Sequence, residues 1–316
     1  MTDAEYVTLQ KSTIVRSSEP PLMPLARAGN RALSRLAPSL AAALGERLFL
    51  APPRGRRPAI EIDLLGRARA RSLRVGGRRV ETWAWGTGPS VLLVHGWGGR
   101  GAQLGAFVDP LVAHGFSVVT FDAPGHGASD RGRVTLPEMT ATIREVASTA
   151  GPIAGLIAHS AGAVAATRAL YEGLSVDAAV YVAPASDLEG AALRFSETYG
   201  FSRAVRERMQ RQIETESGVP WAAFDLRVLA RSLATPLFVI HDRGDAHVPW
   251  QHGMAITSAW PGAAMLTTDG LGHHRILRAP AVAAAAVAFI ATATLAQPVS
   301  PGNRRAVVEP PAALAY

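Results

Sequence analysis

Short apolar runs recur along the chain after residue 70, and stretches with helical spacing separate most of them. The first two runs flank Gly76-Gly77, a dipeptide typical of a tight hairpin turn. Strands that alternate with helices predict a mostly parallel sheet covered on both faces, with ligands bound beyond the carboxyl ends of the strands. The predicted strands are 71–75, 79–85, 91–95, 117–121, 153–159, 178–182, 237–241 and 265–268.

The segment before the strands has helical spacing. Leucines recur at threes and fours over residues 25–50, Arg27, Arg31 and Arg35 form a second stripe, and Pro38 starts a new helix or kinks the first. A basic amphipathic helix of this kind can lie on a membrane surface or on an acidic partner. We favour the other interpretation, in which residues 1–70 form an arm and an amphipathic helix packed on the core. The basic stretch 54–58 is interpreted as a solvated loop.

One interval between strands is too long for a simple crossover. Residues 186–232 are rich in charge and aromatic side chains and begin directly after a strand end, which predicts a helical cap over the site rather than an enlarged surface excursion. Phe195, Tyr199 and Trp221 of this cap are candidate substrate contacts. Residues 71–185 and 233–297 then form the two halves of the core, and the proline-rich residues 298–316 are predicted to be a disordered tail.

Composition and charge remove several classes of function. The chain has no cysteine, which excludes disulfides, thiolate metal sites and a cysteine nucleophile. The net charge of +7 is uneven, because residues 1–80 hold 15 basic and 6 acidic residues whereas the rest hold 17 and 19. Without a wide basic surface and aromatic partners, we expect no nucleic-acid partner. The start of the chain lacks the pattern of a signal peptide, and no unbroken apolar run reaches membrane-spanning length, so we expect a cytoplasmic protein.

Ser160 ends the apolar run 153–159 and is followed at once by an alanine-rich helical stretch. A serine between small residues at such a junction is typical of a nucleophile elbow, a sharp strand-to-helix turn that exposes the hydroxyl. The alternative is an ordinary junction at which the serine caps the helix. The elbow hypothesis predicts that an acid and then a histidine follow at the ends of later strands.

Residues 71–296 resemble the α/β-hydrolase superfamily through the elbow at Ser160, the segment 241–249 and the segment 269–274. The resemblance implies an α/β-hydrolase fold, with a mostly parallel eight-stranded sheet, flanking helices and a helical cap insertion. Ala158 replaces the usual first glycine of the elbow, a departure that some bacterial lipases of the superfamily share. The arginine-dominated basic composition is typical of a high-GC genome and fits a bacterial source.

The resemblance assigns the remaining catalytic roles. The family pattern Gly-x-Gly-His points to His273 as the base rather than its neighbour His274, and the pattern Asp-x-x-Val-Pro points to Asp245 as the acid rather than Asp242. Backbone N–H groups of Trp97 and Ala161 are implied as the oxyanion hole. His159 is not the candidate base, and the segment containing Asp122 and His126 is interpreted as shaping a turn. The scattered histidines predict no metal site.

These assignments predict a serine hydrolase that cleaves carboxylic esters, carboxylesterase-like or lipase-like, through a Ser-His-Asp triad and an acyl-enzyme intermediate, with no cofactor. The expected partner is a small-molecule ester with an apolar group. The alternatives are an acyltransferase or thioesterase with the same triad, and a binding protein built on a hydrolase fold. The sequence leaves the oligomeric state and the natural substrate open.

Overall fold

The computed structural model of the chain describes residues 22–296, so the predicted tail at 298–316 and the first part of the predicted arm lie outside the described residues. Its strands are β1 (Arg69–Val75), β2 (Arg78–Trp85), β3 (Ser90–Val94), β4 (Ser117–Phe121), β5 (Ile153–His159), β6 (Val176–Val182), β7 (Leu237–Asp242) and β8 (Ala264–Thr268). They form one sheet in the order β1-β2-β4-β3-β5-β6-β7-β8. The β1–β2 and β2–β4 pairs are antiparallel and all other pairs are parallel, which confirms the predicted mostly parallel eight-stranded sheet.

Helices lie on both faces of this sheet and in two further segments. The α-helices are α1 (Met23–Leu36), α2 (Pro38–Phe49), α3 (Ala59–Gly66), α4 (Val108–Ala113), α5 (Leu136–Ala150), α6 (Ala161–Tyr171), α7 (Leu188–Tyr199), α8 (Arg203–Ser217), α9 (Leu226–Leu229), α10 (Gln251–Ala259), α11 (Gly272–Arg275) and α12 (Pro280–Ala296). Short 3-10 helices span Gly101–Phe107, Trp221–Phe224, Ala230–Ser232 and Ile276–Arg278. Helices α4 and α12 pack on one face of the sheet, and α5, α6 and α10 pack on the other.

The central strands are buried on both faces, which explains why they read as continuous apolar runs. Along β3, Val91 and Leu93 belong to the core layer shared with α4 and α12. Leu92 and Val94 belong to the layer shared with α5 and α6. Every residue of β5 is buried as well. This sheet therefore presents the end of β5, and Ser160 after it, on a rigid support.

The N-terminal helices pack differently from the prediction. Helices α1 and α2 lie against α7 and α8, the helices inserted between β6 and β7, rather than against the sheet. The buried side of α2 contains Ala41, Ala42 and Gly45, and a methyl group on Gly45 would already touch Met209 of α8 at 3.4 Å. Because small residues allow this close approach, the packed side is not the leucine stripe. Leu33 is partly buried against the cluster of Ala41, Ala42, Phe201 and Val205. The expectation that the leucine stripe as a whole docks on the core is wrong, since its other members, Leu25, Leu36, Leu40, Leu44 and Leu48, are exposed.

The basic stretch 54–58 is a loop with Gly55, Arg56 and Pro58 exposed, as predicted, but Arg54 and Arg57 are not solvated. Arg54 donates hydrogen bonds to the carbonyl oxygens of Gly125 at 2.7 Å and Ser129 at 2.8 Å. Arg57 forms an ion pair with Asp122, whose side chain is fully buried. A planar guanidinium group can satisfy several acceptors at once, so these arginines hold the turn after β4 in place.

None of the described helices alone has the length and apolarity needed to cross a membrane. The helical segments Gly272–Arg278 and Pro280–Leu295 reach that length and apolarity only when they are taken together, across a 66° bend.

Candidate active site

Ser160 occupies a sharp turn between β5 and α6. Its backbone has φ 53° and ψ −124°, a conformation that non-glycine residues rarely adopt. The Ser160 N–H donates to the carbonyl oxygen of Val182 at 3.1 Å, which ties the turn to the end of β6. Small neighbours make the turn sterically feasible, because a Cβ atom on Gly96 would lie only 2.9 Å from the Cβ of Ser160. This geometry directs the hydroxyl away from the sheet, as an elbow requires.

Gly162 offers a test of how tightly the elbow is packed. A methyl group at this position would lie 2.4 Å from the carbonyl oxygen of His95, so the helix and the loop after β3 would have to separate. We expect Gly162→Ala to lower the free energy of unfolding by about 1–3 kcal/mol and ester hydrolysis by about 10²-fold. Thermal melts and steady-state kinetics measure the two effects.

The matched control is Gly29→Ala, in the middle of α1. A methyl group there meets no atom within 4 Å, so this change should raise the free energy of unfolding by roughly 0.5–1 kcal/mol. A Gly162→Ala protein that melts and turns over like the wild type would contradict the packing argument.

The structure brings Ser160, His273 and Asp245 into one hydrogen-bonded series. The His273 Nε2 atom lies 3.1 Å from the Ser160 hydroxyl oxygen, and its Nδ1 atom lies 2.7 Å from Asp245 Oδ2. Asp245 follows β7, and His273 lies in α11, after β8. With Nδ1–H donating to the carboxylate, Nε2 is free to accept the serine proton.

Asp245 is held as an ionised acceptor. Its Oδ1 atom accepts the backbone N–H groups of His247 at 2.8 Å and Val248 at 2.9 Å. Burial alone would raise the pKa of Asp245, but hydrogen bonds from His241, His273 and Val248 hold that pKa well below its usual range. His241 was not among the predicted site residues, yet its Nε2 atom lies 3.4 Å from Asp245 Oδ2. Only its position at the end of β7 could have suggested this contact.

Asp242, the competing carboxylate, contacts neither His273 nor Ser160. It accepts the Thr268 hydroxyl at 2.8 Å and the backbone N–H groups of Gly244 and Leu271, each at 2.9 Å. These bonds connect the loop after β7 to the loop after β8. Asp242 therefore fixes the segment that carries His273.

The two other histidines near the site have different environments. The side chain of His274 is exposed and lies edge-on against the ring of His247. His159 is buried, and its Nε2–H donates to the backbone carbonyl oxygen of His273 at 3.1 Å. His159 therefore positions the backbone that carries His273.

Trp97 and Ala161 lie beside Ser160 in the lining of one cavity. Within the described part of the chain, the N–H groups of Trp97 and Ala161 have no acceptor from the protein. Backbone N–H groups without a protein acceptor, close to a serine hydroxyl, are what an oxyanion hole requires.

A pair of buried histidines secures the loop that carries Trp97. The Gly98 N–H donates to His126 Nε2 at 3.0 Å, and the Ala123 N–H donates to His95 Nε2 at 2.9 Å. Their Nδ1–H groups donate to the carbonyl oxygens of Pro124 at 3.0 Å and Gly96 at 2.8 Å. Both rings must be neutral to accept a backbone N–H. His126 was predicted to shape a turn, but the sequence around it gave no indication that its ring acts together with that of His95.

These histidines predict a loss of stability in acid. Burial lowers the pKa of His95 to about 4 and that of His126 to about 3, from an ordinary value of 6.5. Because the unfolded chain binds these protons more readily, the contribution is complete above pH 6.5 and is lost as pH falls towards 4. We expect the melting temperature to fall steadily over this interval, because the free energy of unfolding decreases by about 1.4 kcal/mol per pH unit for each proton taken up on unfolding.

His126→Gln separates this effect from the titration of the carboxylates. The glutamine oxygen can still accept the Gly98 N–H but cannot bind a proton in this range. The variant should therefore lose less stability between pH 6.5 and pH 4 than the wild type. Equal slopes for the two proteins would contradict the proposed role of His126.

An apolar cavity of about 450 Å³ opens at Ser160. The three aromatic residues proposed from the sequence, Phe195, Tyr199 and Trp221, all lie in its lining. Phe49 of α2 also lines it, and its ring lies 5.8 Å from Trp221 and 5.1 Å from Phe195 between centroids. The N-terminal helices therefore contribute to the cavity, which the sequence pattern did not indicate. Among the described residues, no group of three or more His, Asp or Glu side chains is arranged to hold a metal ion.

The chain is similar to known proteins both in sequence and in structure. A family model described as the Alpha/beta hydrolase family matches residues 91–286. A pimeloyl-[acyl-carrier protein] methyl ester esterase from Xanthomonas campestris pv. campestris (strain B100) is 31% identical over 245 residues, which cover 65% of this chain and 96% of that protein.

Among solved structures, a putative lipase from Acinetobacter baumannii AYE superposes with a TM-score of 0.60 at 16% identity, covering 77% of this chain and 99% of the other. A bromoperoxidase from Bacillus anthracis superposes with a TM-score of 0.55 at 18% identity, covering 70% and 99%. At these identities the two structures indicate a shared fold.

Proposed function

Because the chain belongs to the alpha/beta hydrolase family and is a hydrolase that acts on esters, we propose that it cleaves a carboxylic ester by two-step acyl transfer through Ser160. The observation that carries the proposal is the continuous series of hydrogen bonds from Asp245 through His273 to the Ser160 hydroxyl. Such a series lets a weakly nucleophilic hydroxyl lose its proton as it attacks.

In the first step, Ser160 Oγ attacks the ester carbonyl while His273 Nε2 takes the hydroxyl proton. The imidazolium that forms is stabilised by the ionised Asp245, whose pKa is held low by its hydrogen bonds. His273 then donates the proton to the departing alcohol, which leaves an ester between the acyl group and Ser160. In the second step, water attacks this acyl-enzyme with His273 again as base, and the carboxylic acid is released.

The negative oxygen of each tetrahedral intermediate would be bound by the N–H groups of Trp97 and Ala161. Support comes from their position in the Ser160 cavity and their lack of acceptors among residues 22–296. Each donor of this kind is worth roughly 3 kcal/mol of transition-state stabilisation. The histidine pair that holds the Trp97 loop then contributes to catalysis by keeping one donor in place.

The cavity supports a substrate with an apolar acyl or alcohol group. Its lining is mostly aliphatic and aromatic, with Phe195, Tyr199 and Trp221 from the inserted helices and Phe49 from α2. The Xanthomonas relative is a methyl ester esterase of a carrier-bound pimeloyl group. We accordingly propose small carboxylic esters of medium acyl length as the substrate class.

A chain-length series of p-nitrophenyl esters tests this proposal. Each additional methylene that enters the cavity should raise kcat/KM by about fourfold until the cavity is full, because burial of a methylene is worth about 0.8 kcal/mol. Trp221→Ala should flatten this dependence. Tyr171→Ala, which removes an exposed aromatic ring outside the cavity, should leave it unchanged.

Matched thioesters and added alcohol acceptors distinguish the alternatives. Faster cleavage of thioesters than of oxygen esters would favour a thioesterase. Faster capture of the acyl group by an added alcohol than by water would favour an acyltransferase. A series with no dependence on acyl length would contradict an apolar acyl site in this cavity.

A further inference from the structure

The two N-terminal helices expose an apolar surface that their own packing leaves uncovered. Leu25, Leu36 and Leu40 are 72%, 85% and 66% exposed. Helix α2 packs on α8 and α7 through Ala41, Ala42 and Gly45, and α1 packs on α7 and on α2, so these contacts leave the leucines uncovered. We call this surface the leucine face; its members are Leu22, Leu25, Leu36, Leu40, Leu44 and Leu48.

The exposed charges carried by the two helices themselves have one sign. Arg31, Arg35 and Arg47 are exposed, and none of them has an ion-pair partner among residues 22–296. The one acidic residue between positions 22 and 50 is Glu46, which is buried and paired with Arg133. The surface is therefore apolar with a cationic border.

We propose that the leucine face binds an anionic lipid surface. An amphipathic helix with apolar residues on one side and arginines at its border can insert the apolar side at the boundary of headgroups and acyl chains. The arginines then lie at the level of the lipid phosphates, where each contributes to binding.

Other occupants fit the leucine face less well. A second copy of the chain would bring Arg31, Arg35 and Arg47 close to the same residues of its partner, and like charges repel. A protein partner usually relies on aromatic anchors and directional hydrogen bonds. The leucine face has aliphatic side chains and no aromatic member. A lipid surface requires neither shape complementarity nor specific hydrogen bonds.

The leucine face reaches the mouth of the cavity. Leu48 belongs to the face, lines the cavity that holds Ser160, and is 38% exposed. Phe49 beside it continues the apolar lining inward. Binding to lipid would therefore place the cavity mouth at the surface from which an apolar ester can enter, although binding itself does not depend on the proposed reaction.

Co-sedimentation of the full chain with vesicles tests the proposal. Vesicles of phosphatidylcholine and phosphatidylglycerol in equal amounts should bind the protein, and vesicles of phosphatidylcholine alone should bind it much more weakly. The double variant Leu36→Gln with Leu40→Gln should bind at least about tenfold more weakly. Arg31→Gln with Arg35→Gln should reduce binding by about fivefold for each arginine, and added salt should reduce wild-type binding further.

Matched controls place the same changes elsewhere. Val228→Gln with Met254→Gln removes two exposed apolar side chains from α9 and α10, and Arg71→Gln with Arg74→Gln removes two charges from β1. Both controls should bind vesicles like the wild type. All variants should keep the wild-type melting temperature and their activity on a soluble short-chain ester, because none of these residues lines the cavity.

Three results would overturn the proposal. The wild type could remain in solution with anionic vesicles, or Leu36→Gln with Leu40→Gln could bind them as the wild type does. The wild type could also be a dimer in solution that this double variant dissociates, which would identify the leucine face as an interface between copies of the chain.

Discussion

Replacing Ser160 by alanine should lower kcat/KM for ester hydrolysis by roughly 10⁴- to 10⁶-fold. The hydroxyl oxygen lies 3.1 Å from His273 Nε2, and the substitution removes the atom that would form the acyl-enzyme. Alanine keeps the Cβ atom and removes only the hydroxyl, whose partner in the structure is His273 Nε2, so the fold and substrate binding should be retained. The oxyanion donors and the cavity remain, and they account for the residual activity that such variants keep.

Three measurements check this expectation. Steady-state kinetics gives the loss in kcat/KM, a fluorophosphonate probe should label the wild type and not Ser160→Ala, and a thermal melt should show that both proteins are folded. Ser186→Ala is the matched control, because this buried serine pairs with His252 and not with His273. Substantial hydrolysis by a well-purified Ser160→Ala protein would rule out Ser160 as the nucleophile.

The strand pattern predicted that Ser160, Asp245 and His273 follow strand ends, and the family patterns selected Asp245 over Asp242 and His273 over His274. In a parallel sheet the carboxyl ends of neighbouring strands meet at one edge, so three residues far apart in sequence are brought to one place. The strands β5, β7 and β8 lie on one side of β3 in the sheet. What local pattern could not supply was the second layer of contacts, such as His241 beside Asp245 or the pairing of His95 with His126. Those contacts depend on side chains from different loops.

The N-terminal segment shows where periodicity stops being informative. The leucine spacing correctly indicates an amphipathic helix with a break at Pro38, since α1 ends at Leu36 and α2 begins at Pro38. It does not indicate which side packs, because Ala41, Ala42 and Gly45 offer a second side on which another helix can approach closely. The prediction that Arg57 is solvated is wrong for a related reason. Whether a charged side chain is solvated depends on its partner, and Asp122 lies 65 positions away in sequence.

Asp245→Asn should reduce kcat by roughly 10⁴-fold, because an amide group cannot accept from His273 Nδ1–H as a carboxylate does. Asp245 Oδ2 lies 2.7 Å from that nitrogen. An amide nitrogen there would favour the tautomer that carries the proton on Nε2, which cannot accept the Ser160 proton. The remaining oxygen can still accept the N–H groups of His247 and Val248, so the loop should keep its shape.

Asp242→Asn is the matched variant. It should lower the free energy of unfolding and leave kcat almost unchanged. Asp242 accepts three groups through two oxygens, so an amide must leave at least one of these part-buried donors without its acceptor. The cost should be about 1–3 kcal/mol of unfolding free energy, while kcat of the folded protein stays within about tenfold of the wild type. Kinetics and melting curves on both variants decide between the two carboxylates. An Asp242→Asn protein that is stable but inactive, alongside an active Asp245→Asn protein, would transfer the role of the acid to Asp242, even though Asp242 has no contact with His273 in the structure.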